Sequence, residues 1–271
     1  MLPHVWKSYS LDENYDNVIA NLKKDDSLKE YLNDKEYFRE CDETKTIIFK
    51  TEILRPQKSK NKTRVILLFS NPNARSIMDG MILAPEKRIN QFWFSMEGAK
   101  MFVLPFKIEE IEKKKFSDTV RPIFQNLRYD SDFEFYFYTF FSFPSRSPED
   151  LKKLFGESFF NHMVNESRCN LLEFVQTEKI NHIMCFGRQA FQYISKYDEK
   201  CLSKGYESKV ERNGFMDSEL MIFNMNMPET KLYLTYPTMQ GGMIASERIR
   251  SLKIIKDTIL NRRNYSTTQI R

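Results

Sequence analysis

A chain of 271 residues that is 41% hydrophobic, with 23 Phe and 13 Tyr, can build one large core, which excludes a wholly disordered polypeptide. Nowhere does it carry the ~18–20 consecutive apolar residues that cross a bilayer, and Met1-Leu2-Pro3-His4-Val5-Trp6-Lys7 lacks the apolar segment of a secretory signal, so a cytoplasmic protein without membrane contact is expected. The net charge of +5, from 42 Lys and Arg against 37 acids, says less than its distribution.

Residues 1–60 read as an N-terminal helical and edge-strand extension packed on a core formed by 61–271. From Leu11 to Glu40, apolar Val18, Ile19, Leu22, Leu28, Tyr31 and Leu32 recur among charges, the pattern of a pair of amphipathic helices. Thr46 to Thr51 reads as an edge strand, and Pro56 to Thr63 as a polar, basic loop. Lys58, Lys60, Lys62 and Arg64 lead into the first core strand, while Arg248, Arg250, Lys253, Arg262 and Arg263 populate the last helix and its exit. Such a footprint suits phosphate contacts. It equally suits solvated cations that flank structural elements.

Four strand signals follow, each leading into a helix-like stretch. Val65 to Phe69 is an unbroken apolar run, the mark of a strand covered on both faces. Phe133 to Phe141 is strongly aromatic and reads as a buried strand more readily than as a stacking platform for bases. It ends at Ser142-Phe143-Pro144, after which Ser147 can cap a helix, Pro148 suits its first turn and Glu149 and Asp150 complement its dipole. His182 to Phe186 closes with Gly187-Arg188 before a helix over Gln189 to Lys196. Leu232 to Tyr236 leads through Pro237-Thr238 to a helix from Ala245 to Leu260. Alternation of this kind implies an α/β fold, a three-layer α/β/α sandwich with a mostly parallel, four-stranded central sheet.

In open α/β sheets ligands bind beyond the carboxyl ends of the strands. Asn71, Phe143, Arg188 and Pro237 are therefore expected along one rim, and Asn71 stands where chemistry usually happens. The competing reading of Asn71 is an Asn-Pro turn with a capping side chain. Cys41, Cys169, Cys185 and Cys201 are scattered without a C-x-x-C pair, so neither a disulfide framework nor a zinc site is expected.

Ser70-Asn71-Pro72, then Gly80, Ala84-Pro85 and Asn90-Gln91-Phe92-Trp93, resembles the first active-site motif of the uracil-DNA glycosylase superfamily. The nearest look is to the mismatch-specific uracil/thymine branch, whose motif runs Asn-Pro-Gly, a loop, then Asn-Arg-Phe-Trp. Ile183 to Phe191 resembles that superfamily's strand-Gly-x-x-Ala-Phe junction, and Tyr236-Pro237-Thr238 with Gly241-Gly242 resembles its second motif. Phe143-Pro144 through the helix bearing Cys169 resembles its middle strand-to-helix crossing, so the likeness runs in order from about 64 to 261.

The resemblance implies a monofunctional glycosylase that flips a pyrimidine out of double-stranded DNA and hydrolyses its N-glycosidic bond, without cofactor or metal, as a monomer. It makes Asn71 the water-positioning amide and Tyr236 and Thr238 its catalytic helpers. Ser70, Pro72, Asn73, Asp79, Leu83 and Asn90 would line the base pocket, although Asp79 before Gly80 also reads as a plain turn residue. Arg146, Arg188, Gly241 and Gly242 would contact DNA, with Met239 and Met243 as wedge residues or as packing against the last helix. Iron–sulfur relatives carry a ligand near Cys169, but their N-terminal C-x-x-C pair has no counterpart, so no cluster is expected.

Departures from the motif shift the expected substrate. Tyr236 replaces a His, Asn73 a Gly, and Leu83 falls near the aromatic ring that stacks on uracil. A bulky modified cytosine, such as the glucosylated hydroxymethylcytosine of phage DNA that some anti-phage relatives excise, fits alongside uracil or mismatched thymine. The alternative is a catalytically inactive DNA- or partner-binding protein on the same fold. Neither G-x-G-x-x-G nor a Walker loop is present to favour a nucleotide-binding enzyme.

Overall fold

The computed structural model describes residues 4–85, 89–197, 202, 215–223, 225–236 and 245–268. Its central sheet contains β4 (Thr63–Phe69), β5 (Phe133–Thr139), β6 (His182–Phe186), β7 (Met216–Ile222) and β8 (Met225–Thr235), in the order β5-β4-β6-β8-β7. The first four of these in spatial order run parallel, while β7 pairs antiparallel with β8 at one edge. Their apolar sequences explain the arrangement: Val65 to Phe69 and every residue of β5 are buried, as strands with helices on both faces must be.

Side chains alternate between two cores. Ile66, Leu68, Tyr136, Tyr138, Ile183 and Cys185 join one core with α1 (Tyr15–Lys24), α6 (Pro148–Phe155), α7 (Glu157–Glu178) and α8 (Arg188–Ile194). Val65, Leu67, Phe135, Phe137, Met184 and Tyr233 join the other with α4 (Gln91–Gly98), α5 (Phe116–Gln125) and α9 (Ala245–Thr268). The result is the expected three layers, but with five strands rather than four. Met216 to Ile222 buries alternate positions only, and its interspersed Asp217, Ser218 and Glu219 mask an edge strand. β8 also starts at Met225, seven residues before the expected Leu232, because β7 supplies it with an antiparallel partner. The register slips between Glu219 and Leu220, opposite the segment holding Pro228, whose nitrogen has no hydrogen to donate.

The N-terminal region forms a separate antiparallel sheet, β1 (His4–Ser10), β2 (Phe38–Cys41) and β3 (Thr46–Glu52), ordered β1-β3-β2. The strand expected at an edge is therefore the middle one. β1 and β2, with polar residues at most positions, carry no strong strand signal of their own. α2 (Lys29–Asn33) follows α1, as the amphipathic pattern implies. This region joins the first core through Tyr9, 5.4 Å from Phe159, and Phe49, 5.0 Å from Phe143. Leu54 then bridges antiparallel to Phe137 and shields the exposed edge of β5. Among the described residues no helix is long and apolar enough to cross a membrane.

Candidate functional site

Strand register brings the ends of the parallel strands into one rank. Phe69 lies opposite Thr139, and Phe186 opposite Thr235, so Ser70-Asn71, Phe140, Gly187-Arg188 and Tyr236 share one rim. The chain leaves β4 toward β5 on one side and returns through α6 and α7 to β6 on the other. That reversal sets a topological switch point between the carboxyl ends of β4 and β6, the usual ligand position in such sheets. Thr238, Met239, Gly241, Gly242 and Met243, with Pro237, lie outside the described residues.

The loops after β4 and β5 zip together. Phe140 N–H donates to the Phe69 carbonyl and Phe141 N–H to the Ser70 carbonyl, both at 2.8 Å, and Ser145 N–H donates to the Pro72 carbonyl at 3.1 Å. Half-buried Asn71 donates from Nδ2 to the Ser145 carbonyl. That bond orients the amide and leaves its Oδ1 as the acceptor.

Beyond Asn71 the candidates divide. Asn73 caps α3 (Ala74–Asp79) by accepting from Arg75 N–H at 2.8 Å, and Asn90 caps α4 by accepting from Phe92 N–H at 2.9 Å. Pro72 is buried. Asp79 pairs with Arg75 at 3.2 Å, and Gly80 ends α3 with φ 73°, so this acid serves the helix end. Leu83 adopts φ 61° and its carbonyl accepts from Trp93 Nε1 at 3.2 Å. Phe143 follows β5, but its ring is buried among Tyr31, Phe38, Phe49 and Phe155, so it builds the core and not the rim. Tyr236 is buried as well, whereas Arg146 and Arg188 are exposed on the rim. Cys169 is exposed on α7 and Cys185 buried in β6, where burial pushes its thiol well up.

Three groupings that the sequence did not assemble complete the site. Gln189 donates from Nε2 to both oxygens of Glu149, at 3.1 and 3.0 Å, and Ser70 Oγ lies 3.5 Å from Gln189 Oε1. This chain ties the starts of α6 and α8 to the end of β4 across the switch point. A second group lines a small recess: Phe92, Ser95, Phe186, Thr235, Tyr236, Arg248 and Leu252. Phe69 and Phe186 stack at 5.2 Å, and Phe92 meets both edge-on. Buried Arg248, its pKa lowered by desolvation, brings a cation to this aromatic wall.

The third group pins the loop over residues 80–83. Arg121 Nη1 donates to the Gly80 carbonyl at 3.1 Å, and fully buried Glu52 lies against Ile82 N–H. Burial pushes the Glu52 carboxyl well above its usual range, with Ile82 N–H and Arg121 pulling only partly back. Neither Arg121 nor Glu52 carries a local motif. Only the fold brings β3, α5 and the loop together.

The basic residues separate in the same way. Lys60, Lys62 and Arg64 lie at the amino end of β4, the far end of the sheet from Asn71. The seven residues of β4 separate Lys62 from Ser70-Asn71, roughly 23 Å at ~3.3 Å per residue. The expected single phosphate footprint is thus divided between two ends. Fold and site together define an open α/β protein with polar side chains gathered at its topological switch point. No protein-family model matches the chain, and no curated protein matches it.

Proposed function

We propose that the protein is a monofunctional DNA glycosylase of the uracil-DNA glycosylase superfamily, acting on a flipped modified pyrimidine. The observation that carries this reading is Asn71: a half-buried amide at the switch point, oriented by the Ser145 carbonyl with Oδ1 left to accept from a water. A base must leave its stack to be reached, at a modest unstacking cost. Breaking the glycosidic bond then places positive charge on the sugar and negative charge on the departing base, so the site must place a water and offer donors.

Asn71 orients the water on the sugar's far side. The Ser70–Gln189–Glu149 chain holds the starts of α6 and α8 against the end of β4. Asn73 and Asn90 act through the loop they cap, and the Leu83 side chain faces a base that lacks an aromatic stacking partner. Tyr236 and Thr238 assist the leaving base, while Arg146 and Arg188 hold the flanking phosphates. The small aliphatic Leu83 favours a bulky 5-substituted cytosine over plain uracil.

The test is excision followed by alkaline cleavage of duplexes carrying uracil, a thymine mismatch or glucosylated hydroxymethylcytosine. Cleavage of at least one supports the reading. Duplex binding with no excision of any of the three would leave a non-catalytic DNA-binding protein instead.

A further inference from the structure

At the amino end of the sheet an open cleft of about 620 Å³ gathers Lys60, Lys62, Arg64, Lys179 and Lys231, against one lining acid among the described residues, Glu229. These cations come from three separate places: the loop before β4 and β4 itself, the residue ending α7, and β8. The cleft has a built floor. Fully buried Glu134 accepts from Ser59 N–H at 2.8 Å and from the Tyr136 hydroxyl at 2.6 Å, and lies 3.6 Å from Arg64 Nε. It thereby fixes the loop that carries Lys60 and Lys62. Lys62 donates to the Ser131 carbonyl, and Lys231 pairs with Glu219 at 2.6 Å. Exposed Lys60 and Lys179 take part in no ion pair among the described residues.

We infer that this amino-end cleft is a second nucleic-acid site, one that binds the phosphodiester backbone independently of the carboxyl rim. Its lining offers cations and neutral hydrogen-bonding groups such as Ser59, Thr63 and Asn181, with Pro228 as its apolar member. That composition suits a charged, hydrated backbone and does not suit a lipid surface or an apolar peptide, both of which need hydrophobic contact. At roughly 3.4 Å per nucleotide, a strand of about five nucleotides or fewer cannot touch both this cleft and Asn71. The protein would therefore hold a second nucleic-acid segment while the rim engages the first. The inference does not require the glycosylase reading, since backbone binding needs no excision.

The experiment measures fluorescence anisotropy of a labelled 20-nucleotide single strand and of its duplex, across rising salt, for the whole protein and for K60E/K179E. Both lysines are exposed. Thermal melting and the charge-neutral K60Q/K179Q, which should shift affinity less but in the same direction, separate binding from misfolding. Removing two phosphate contacts should lower affinity at least about tenfold and reduce the slope of log K against log salt by about 2. R146A/R188A should leave that loss in place and should itself still bind one short duplex per chain. Unchanged affinity and slope in K60E/K179E would overturn the inference. So would loss of binding to phosphatidylserine vesicles with nucleic-acid binding intact. Excision by K60E/K179E reports on the carboxyl rim separately, so the two readings fail independently.

Discussion

A single hydrogen bond decides what Asn71 presents. With Nδ2 given to the Ser145 carbonyl, its acceptor Oδ1 is the group left for a water. Asn71→Ala should therefore bind DNA as before but excise about 10² to 10³ more slowly, the loss typical of one preorganised polar group. Single-turnover excision at the original rate would remove Asn71 from the mechanism. Asp79 illustrates the opposite outcome: its ion pair with Arg75 and the left-handed Gly80 behind it are both turn chemistry. Leu83 tests pocket size, and Leu83→Phe should favour uracil while hindering a bulky cytosine, because overfilling a packed site is costly. A variant that instead improves on the bulky base would remove Leu83 from the pocket.

Glu52 links residue chemistry to stability. Its folded pKa is raised, so below its usual value of 4.5 both folded and unfolded chains hold the proton. As pH rises through that value the unfolded chain ionises while the folded one does not, and stability falls until the folded pKa is passed. Glu52→Gln removes this loss. It should leave the melting temperature near that of the unaltered protein at low pH and raise it increasingly as pH climbs above 4.5. An equal shift at both ends of the range would mean that Glu52 does not stay protonated.

Among the elements, α6 shows how local sequence serves the carboxyl rim. Ser147 accepts from Asp150 N–H at 3.1 Å, Pro148 occupies the first turn, and Glu149 then reaches Gln189 at the start of α8. Ser147→Ala should cost about 1 kcal/mol through the lost cap, read by thermal melting. Gln189→Ala should barely change stability, because Glu149 is exposed, yet should slow excision by loosening the Ser70 wall. Equal rates for Gln189→Ala and the unaltered protein would reduce that chain of contacts to a surface feature. The cap was legible because Ser, Pro and two acids in sequence have one common use. Gln189 was not, because its partner stands forty residues away and the contact depends on α6 and α8 starting on the same rim.

For the whole molecule, charge location matters more than net charge. Arg146 and Arg188 stand at the carboxyl rim, while Lys60, Lys62 and Arg64 stand at the amino end. DNA affinity should fall steeply with salt, and Arg146→Ala or Arg188→Ala should weaken it alike across sequences. A flat salt response would point to a protein partner.

Sequence alone determined the elements with strong local signals. Continuous apolar runs marked the four parallel strands, helical spacing marked α1 and α9, and capping residues marked α6, because each pattern is satisfied by contacts that any covered strand or helix makes. Tertiary structure decided the rest. It made β3 a central strand, recruited the mixed segment Met216 to Ile222 as a fifth strand, buried Phe143, and set Glu52 beneath the first loop. Those outcomes depend on which partners lie across a sheet or beneath a loop, often more than thirty residues distant in the chain, and a local pattern carries no record of them.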